Sequence, residues 1–190
     1  MQRVPLWDVK KGKNYVMIIS SSAGLWGYNT GDTVRFTSLR PYKIYVTGRI
    51  KQSLSAFGEH VIVSEVEQAL KEAIDYDNSE VRVREFTVAP QVKPAKGLPF
   101  HEWFIEFETF PKNVKAFAKK IDEVMQEKNI YYNDLIAGKV LRPLIIRLVV
   151  KGGFISYMKS IGKLGGQNKV PRVSDHRKIA NVLKEYLINN

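Results

Sequence analysis

The pattern of apolar residues changes its period once along the 190 residues, near Gly48, and that change limits the architecture more than any single motif does. Up to Thr47, three runs (YVMIIS, DTVRF and YKIYVT) are rich in β-branched and aromatic residues, and SSAGLWGYNTG and TSLRP separate them, so they read as short strands. Three short strands without a helix bury little by themselves. Residues 1–47 are therefore expected to be the β-rich tail of a larger lobe that begins further upstream.

Helical periods appear after Gly48. TGRIKQSLSAFGEH alternates weakly and turns at Gly58, and Ser64-Glu65-Val66-Glu67 predicts a capping box with Ser64 as N-cap and Glu67 at the third position. The helix it opens carries Val66, Ala69, Leu70, Ala73 and Ile74 on one face. EVRVREFTV at 80–88 and HEWFIEFETF at 101–110 predict two half-buried antiparallel strands, joined by the proline-punctuated loop APQVKPAKGLPF. Pro111 is expected to open a second amphipathic helix with Val114, Phe117, Ala118, Ile121 and Met125 inward. PLIIRLVV at 143–150 suits a central strand, GGFISYMKSIG a helix, and Ser174 a cap for a last helix containing His176 in its first turn. The expected fold is α+β: a small β-rich segment over 1–47, then a mixed or antiparallel sheet with packed helices over 48–190 and a hinge near 48–52.

With 44% apolar residues the chain can pack a core, and its formal charge of +11 favours an anionic partner such as nucleic acid, nucleotide phosphate or a membrane surface. Ten Lys and Arg residues stand between Lys139 and Lys178 against Asp175 alone. Within that segment GKLGGQNKVPR forms a glycine-rich loop ahead of Lys169, suited to delivering an ammonium to a phosphate or carboxylate. The absence of cysteine excludes disulfides, thiolate metal sites and cysteine nucleophiles. His60, His101 and His176 have no metal-ligand spacing, so no metal site is expected; His101 and His176 read as structural or solvated. The apolar run near the N-terminus is far too short to span a membrane, and a cytoplasmic location is expected by default.

GYNTGDTVRF places Asp32 directly after Thr30-Gly31, which by itself reads as a turn. AGLWGYNTGD followed by VTGRIKQSLSAFGEHVIVSEVEQAL resembles the late motifs of acyl-adenylate-forming enzymes: an aromatic-x-Thr-Gly-Asp stretch, then Gly-Arg, a hinge residue, a hairpin and a helix. HEWFIEFE, PLIIRLVVKGGF and QNKVPR extend the likeness in order over nearly the whole chain, and together they are similar to the auxin-responsive promoter family, the acyl-acid amido synthetases. That resemblance implies ATP-dependent activation of a carboxylic acid as acyl-AMP, with Mg2+ accompanying the ATP, and then amide formation with an amino acid. Asp32 would accept the ribose hydroxyls, with Arg49 and the aromatic Tyr28 beside the nucleotide, Lys51 as hinge, and Lys169 closing on the α-phosphate. At the hairpin position where family members carry lysine this chain has His60, which puts a phosphate role there in question. The phosphate-gripping loop and the adenine and acid pockets would lie in an N-terminal adenylation lobe upstream of Met1, so the 190 residues alone are expected to be catalytically silent. Two other readings remain open: a ligase of the same superfamily making a CoA thioester, and a basic nucleic-acid-binding module.

Overall fold

A computed structural model describes residues 3–49, 53–77, 79–165 and 168–188, the side chain of Arg49 excepted, and the chain divides into two compact units, Met1–Lys51 and Gln52–Asn190.

The first unit is an antiparallel meander of β1 (Asn14–Ile19), β2 (Tyr28–Leu39) and β3 (Tyr42–Arg49) in the order β1-β2-β3. The DTVRF strand is thus longer than expected at both ends, and Thr30-Gly31-Asp32 lies inside β2 instead of forming a turn ahead of it. Val16 pairs with Thr33 and Ile18 with Asn29, so β2 spends two extra residues there in a bulge. Gly31, at φ +76°, supplies the left-handed backbone the bulge needs. Phe36 is the centre of packing, meeting Tyr15 and Tyr42 edge-on with ring centroids 6.0 Å apart in both cases. Val34, Phe36 and Thr47 are buried, whereas Ile44, Tyr45 and Val46 of β3 stand about half exposed.

The second unit opens with a hairpin of β4 (Ser53–Leu54) and β5 (Val61–Ile62) that turns at Gly58 and runs directly into α1 (Val63–Asp77). A sheet follows, β6 (Arg82–Gln91), β7 (Phe100–Thr109) and β8 (Ile145–Val149) in the order β6-β7-β8, with β7 antiparallel to β6 and parallel to β8. Between β7 and β8 lie α2 (Val114–Lys128) and α3 (Ile130–Ala137); after β8 come α4 (Gly153–Ser160) and α5 (Lys178–Leu183). One apolar cluster joins α1, α2 and α3 to Trp103, Ile105 and Phe107, and a second joins α4 and α5 to Phe104, so β7 carries a core on each face.

The α+β expectation holds, but several local expectations are corrected. Residues 100–107 of β7 are buried on both faces, so this strand, not β8, is the centre of the sheet. β8 is flanked on its outer side by a bridge from Val149 to Leu187. β6 runs through Pro90, which an edge strand tolerates because its missing N–H would face away from β7. α2 is capped by Asn113, whose side chain accepts from the N–H groups of Lys115 and Ala116, and Pro111 lies outside the helix. At α1 it is Glu65 that reaches back to the Ile62 N–H, at 3.1 Å, while Glu67 turns to Arg172. The last helix begins at Lys178, so Ser174 is not its cap and His176 precedes it; Ser174 Oγ instead donates to the His176 carbonyl. α3 was not anticipated, since IYYNDLIA shows no clear amphipathic stripe.

Candidate functional site

Asp32 and Arg49 are opposite one another in the β2–β3 ladder although 17 positions separate them in sequence. The bulge fixes how the acid is presented: Thr30 Oγ1 donates to the Met17 carbonyl at 3.2 Å and accepts the Asp32 N–H at 3.1 Å, while Asn29 Oδ1 accepts the Gly31 N–H. Asp32 is thereby held half-buried in a strand, not on a mobile turn. Tyr28 opens the same strand opposite Ile19 and is exposed. An acid and an arginine thus share one ladder position, with an exposed aromatic at the start of the same strand. The proposed hinge residue Lys51 lies outside the described residues.

Lys169 belongs to the second unit, on the segment between α4 and α5, and its side chain is exposed. His60 is on the hairpin in left-handed backbone, φ +49°, an uncommon conformation for a residue with a side chain. Its Nδ1 is 2.9 Å from Ser55 Oγ, the edge of its ring meets Tyr131, and Ser55 N–H donates to Asp175 Oδ1. So His60 is a held group, more than an ordinary turn residue. Among the described residues no group of three or more His, Asp or Glu side chains is arranged to hold a metal ion.

The strongest polar constellation was not singled out by sequence. Glu59 Oε1 and His101 Nε2 are 3.0 Å apart with both side chains buried, and the imidazole stacks on Tyr132 at 5.0 Å. Tyr132 Oη donates to Asp122 Oδ1 at 2.6 Å; burial, and then the Asp122 charge, push this phenol well above its ordinary value. Asn129 Nδ2 donates to the Glu59 carbonyl and to Glu65 Oε2, so the hairpin, α1, α2, α3 and β7 meet in one hydrogen-bonded set. On the other face of β7, Glu102 binds Arg147 Nε at 2.8 Å and Arg177 at 2.6 Å. Burial alone would raise the Glu102 carboxyl; the two guanidinium groups outweigh it and hold the carboxyl below its ordinary value. Glu106 accepts from the N–H groups of Gly152 and Phe154 and so caps α4. The alternating acids of HEWFIEFE were a visible signal: an acid on a strand buried on both sides must meet cations or amide N–H groups.

These pairings also change the meaning of the basic segment. Arg147 and Arg177 are anchored on Glu102, and Arg172 on Glu85 and Glu67, so three of the segment's four arginines serve ion pairs within the unit and the fourth, Arg142, lies over the Phe100 ring, while Lys139, Lys151, Lys159, Lys163, Lys169 and Lys178 are exposed. The exposed cationic surface is thus a set of lysines.

The fold is that of an acyl acid amido synthetase: the chain superimposes on the structure described as GH3.15 acyl acid amido synthetase with a TM-score of 0.75 at 22% identity, covering 98% of this chain and 35% of that one. It also superimposes on 2-hydroxyisobutyryl-CoA ligase in the postadenylation state with a TM-score of 0.50 at 16% identity, over 93% of this chain and 35% of that one. Residues 1–49 match the GH3 family central domain and residues 62–178 the GH3 family C-terminal domain, and the chain belongs to the GH3 family. Relatives include indole-3-acetic acid-amido synthetase GH3.3 of Arabidopsis thaliana, 29% identical over 98% of this chain and 33% of that protein. A human GH3 domain-containing protein is 23% identical over 97% of this chain and 36% of that protein. The chain spans about a third of the length of the curated relatives it matches. No helix among the described residues is long and apolar enough to cross a membrane.

Proposed function

We propose that this chain supplies the central-domain end and the C-terminal domain of an ATP-dependent ligase that activates a carboxylic acid as acyl-AMP and conjugates it to an amino acid. Membership of the GH3 family supports this reading, and the observation that carries it to particular residues is the pairing of Asp32 with Arg49 across β2 and β3. A carboxylate has two oxygens for the two vicinal hydroxyls of a ribose, and the arginine opposite can hold the adjoining phosphate. Tyr28 would flank the nucleotide. Lys51 would be the pivot between the two units, and Lys169 the cation that meets negative charge developing at the α-phosphate during adenylation. With Nδ1 beside Ser55, His60 has its other ring nitrogen to offer a substrate; it brings a hydrogen bond there, not a permanent charge. Mg2+ would enter with the ATP phosphates, and the acid and adenine pockets would come from an N-terminal adenylation lobe. The enzyme would work in the cytoplasm, and a cysteine-free chain does not depend on the redox compartment.

The test joins this chain in frame to the N-terminal two thirds of a GH3 relative and measures acid-dependent ATP–pyrophosphate exchange, then product formation with amino acids or CoA as acceptor. Exchange and amide formation by the fusion are expected, with none by the 190 residues alone. Asp32→Ala should lower kcat/KM for ATP by about 100-fold, the loss of charge-assisted bonds to the sugar. An Asp32→Ala fusion as active as its parent would remove the nucleotide site from β2, and a thioester product would turn the assignment to the CoA-ligase alternative. The nucleic-acid-binding alternative is less favoured because three of the four arginines of the basic segment are taken up in internal ion pairs and the fourth stacks on Phe100.

A further inference from the structure

The second unit holds a recess of about 380 Å³ between α4, the outer part of the sheet and residues 163–165 and 168–170, and its walls do not match the rest of the surface. Phe154, Ile155, Met158, Leu164 and Val170 make an apolar lining, in which Ile155 and Leu164 remain 48% and 55% exposed. Apolar side chains left open to solvent at a concave site favour an apolar occupant. The charges around the lining decide what kind.

Arg84, Glu85 and Glu106 also border the recess, but their charges are spoken for. Glu106 accepts two N–H bonds at the start of α4, Glu85 pairs with Arg172, and Arg84 Nε binds Glu108 at 3.1 Å. Lys163 and Lys169 complete the border, and neither ammonium has a hydrogen-bond or ion-pair partner among the described residues. What remains is an apolar hollow with two unneutralised cations at its rim. We infer that this recess is a binding site for a small organic acid, its apolar body against Phe154, Met158 and Val170 and its carboxylate between Lys163 and Lys169. The volume lies at the small end of ligand pockets, which suits one aromatic ring or a short branched chain.

The site lies wholly within the second unit, so it requires neither ATP nor an adenylation lobe, and its fate is separate from that of the ligase assignment. Lys169 would then have two roles open to it, whereas Lys163 serves the recess alone, which makes Lys163 the sharper probe.

The experiment titrates phenylacetate into the isotopically labelled 190-residue chain and follows its amide resonances by NMR, with phenylacetamide and inorganic phosphate as parallel titrants. Saturable shifts are expected at residues 154–158 and 163–170 with a Kd of about 1 mM or below, and binding at least about ten-fold weaker for the uncharged amide. Lys163→Gln should weaken phenylacetate about five-fold while leaving resonances distant from the recess in place, and Leu164→Ser should do the same through the lining. Both are exposed positions, so loss of fold does not confound the result. Phosphate acting on the same residues as strongly as phenylacetate would reduce the recess to a cationic patch and overturn the proposal. So would equal binding of acid and amide, unchanged affinity in both variants, or the absence of saturable shifts.

Discussion

The two units of this chain solve the problem of burial in opposite ways. The first encloses Val34 and Phe36 and leaves Ile44, Tyr45 and Val46 about half in solvent, and both hydrophobic clusters found among the described residues lie in the second unit. In the second, a single strand is covered on both faces, with Trp103, Phe104 and Ile105 wholly inaccessible and three ionisable groups, His101, Glu102 and Glu106, buried beside them. The lesson is that an acidic, alternating strand can be the centre of a core if each acid has a structural partner. A strand as apolar as β3 can remain half exposed in a unit whose described residues hold three strands and no α-helix.

The largest test of that contrast removes one aromatic side chain from each unit's sheet. Trp103→Ala should destabilise the second unit by about 4 kcal/mol, since it deletes a fully buried ring that stacks on Phe86 at 5.9 Å. Tyr45→Ala in the first unit, at 57% exposure, should stay within about 0.5 kcal/mol. Urea unfolding followed by far-ultraviolet circular dichroism measures both. Comparable losses would mean that the first unit is as tightly built as the second.

The next test concerns whether the buried polar set is structural. His101→Ala leaves Glu59 inside without its imidazole partner and should cost about 3 kcal/mol; Glu59→Gln should cost less because it keeps a hydrogen-bonding oxygen for the Phe57 N–H. If the pair clamps the hairpin, a double-mutant cycle will give a coupling of about 1 kcal/mol or more. A coupling near zero would make each residue a separate packing element.

Glu102 gives the comparison a pH axis. Its carboxyl is lower in the folded chain than its ordinary value of 4.5, because Arg147 and Arg177 together outweigh burial. The sign follows: the folded state binds fewer protons than the unfolded one, so the stabilisation is complete above about pH 4.5 and fades as pH falls through the folded value. Glu102→Gln should cost about 2 kcal/mol at neutral pH and progressively less in acid, where the parent has lost the same interaction. Unfolding measured between neutral pH and pH 3 checks it. A pH-independent difference would assign the loss to packing.

Sequence disclosed the order of elements and the α+β class because strand and helix periods are local properties, and nine residues of HEWFIEFET needed no partner to read as a strand. It could not disclose that this strand is central, since that depends on what Glu102 and Glu106 meet from β8, α4 and α5. Asp32 stood out as a candidate from its Thr-Gly-Asp setting, but its place opposite Arg49 required the β2–β3 register, which shifts by one residue between Thr33–Gly48 and Val34–Val46. The recess beside Lys169 was half legible: the glycine-rich loop pointed to the lysine, and nothing in sequence joined it to Phe154 and Met158. Helix starts differ from expectation at Ser64, which lies inside α1, and at Pro111, which lies outside α2.

Those helix starts supply the smallest effect. Ser64 and Asn113 both carry side chains able to cap, but Asn113 precedes its helix in extended backbone, φ −142° and ψ 107°, and its Oδ1 accepts two N–H groups at 2.9 and 3.0 Å. Ser64 lies inside α1, after Val63, where the reach-back to Ile62 is made by Glu65. Asn113→Ala should therefore cost about 1 kcal/mol. Ser64→Ala should be neutral or stabilise by up to about 0.5 kcal/mol, because alanine is the better helix former and no cap is lost. Thermal unfolding of the two variants side by side decides the matter. A larger loss at Ser64 than at Asn113 would restore the capping box to α1 and move the helix boundary two residues along.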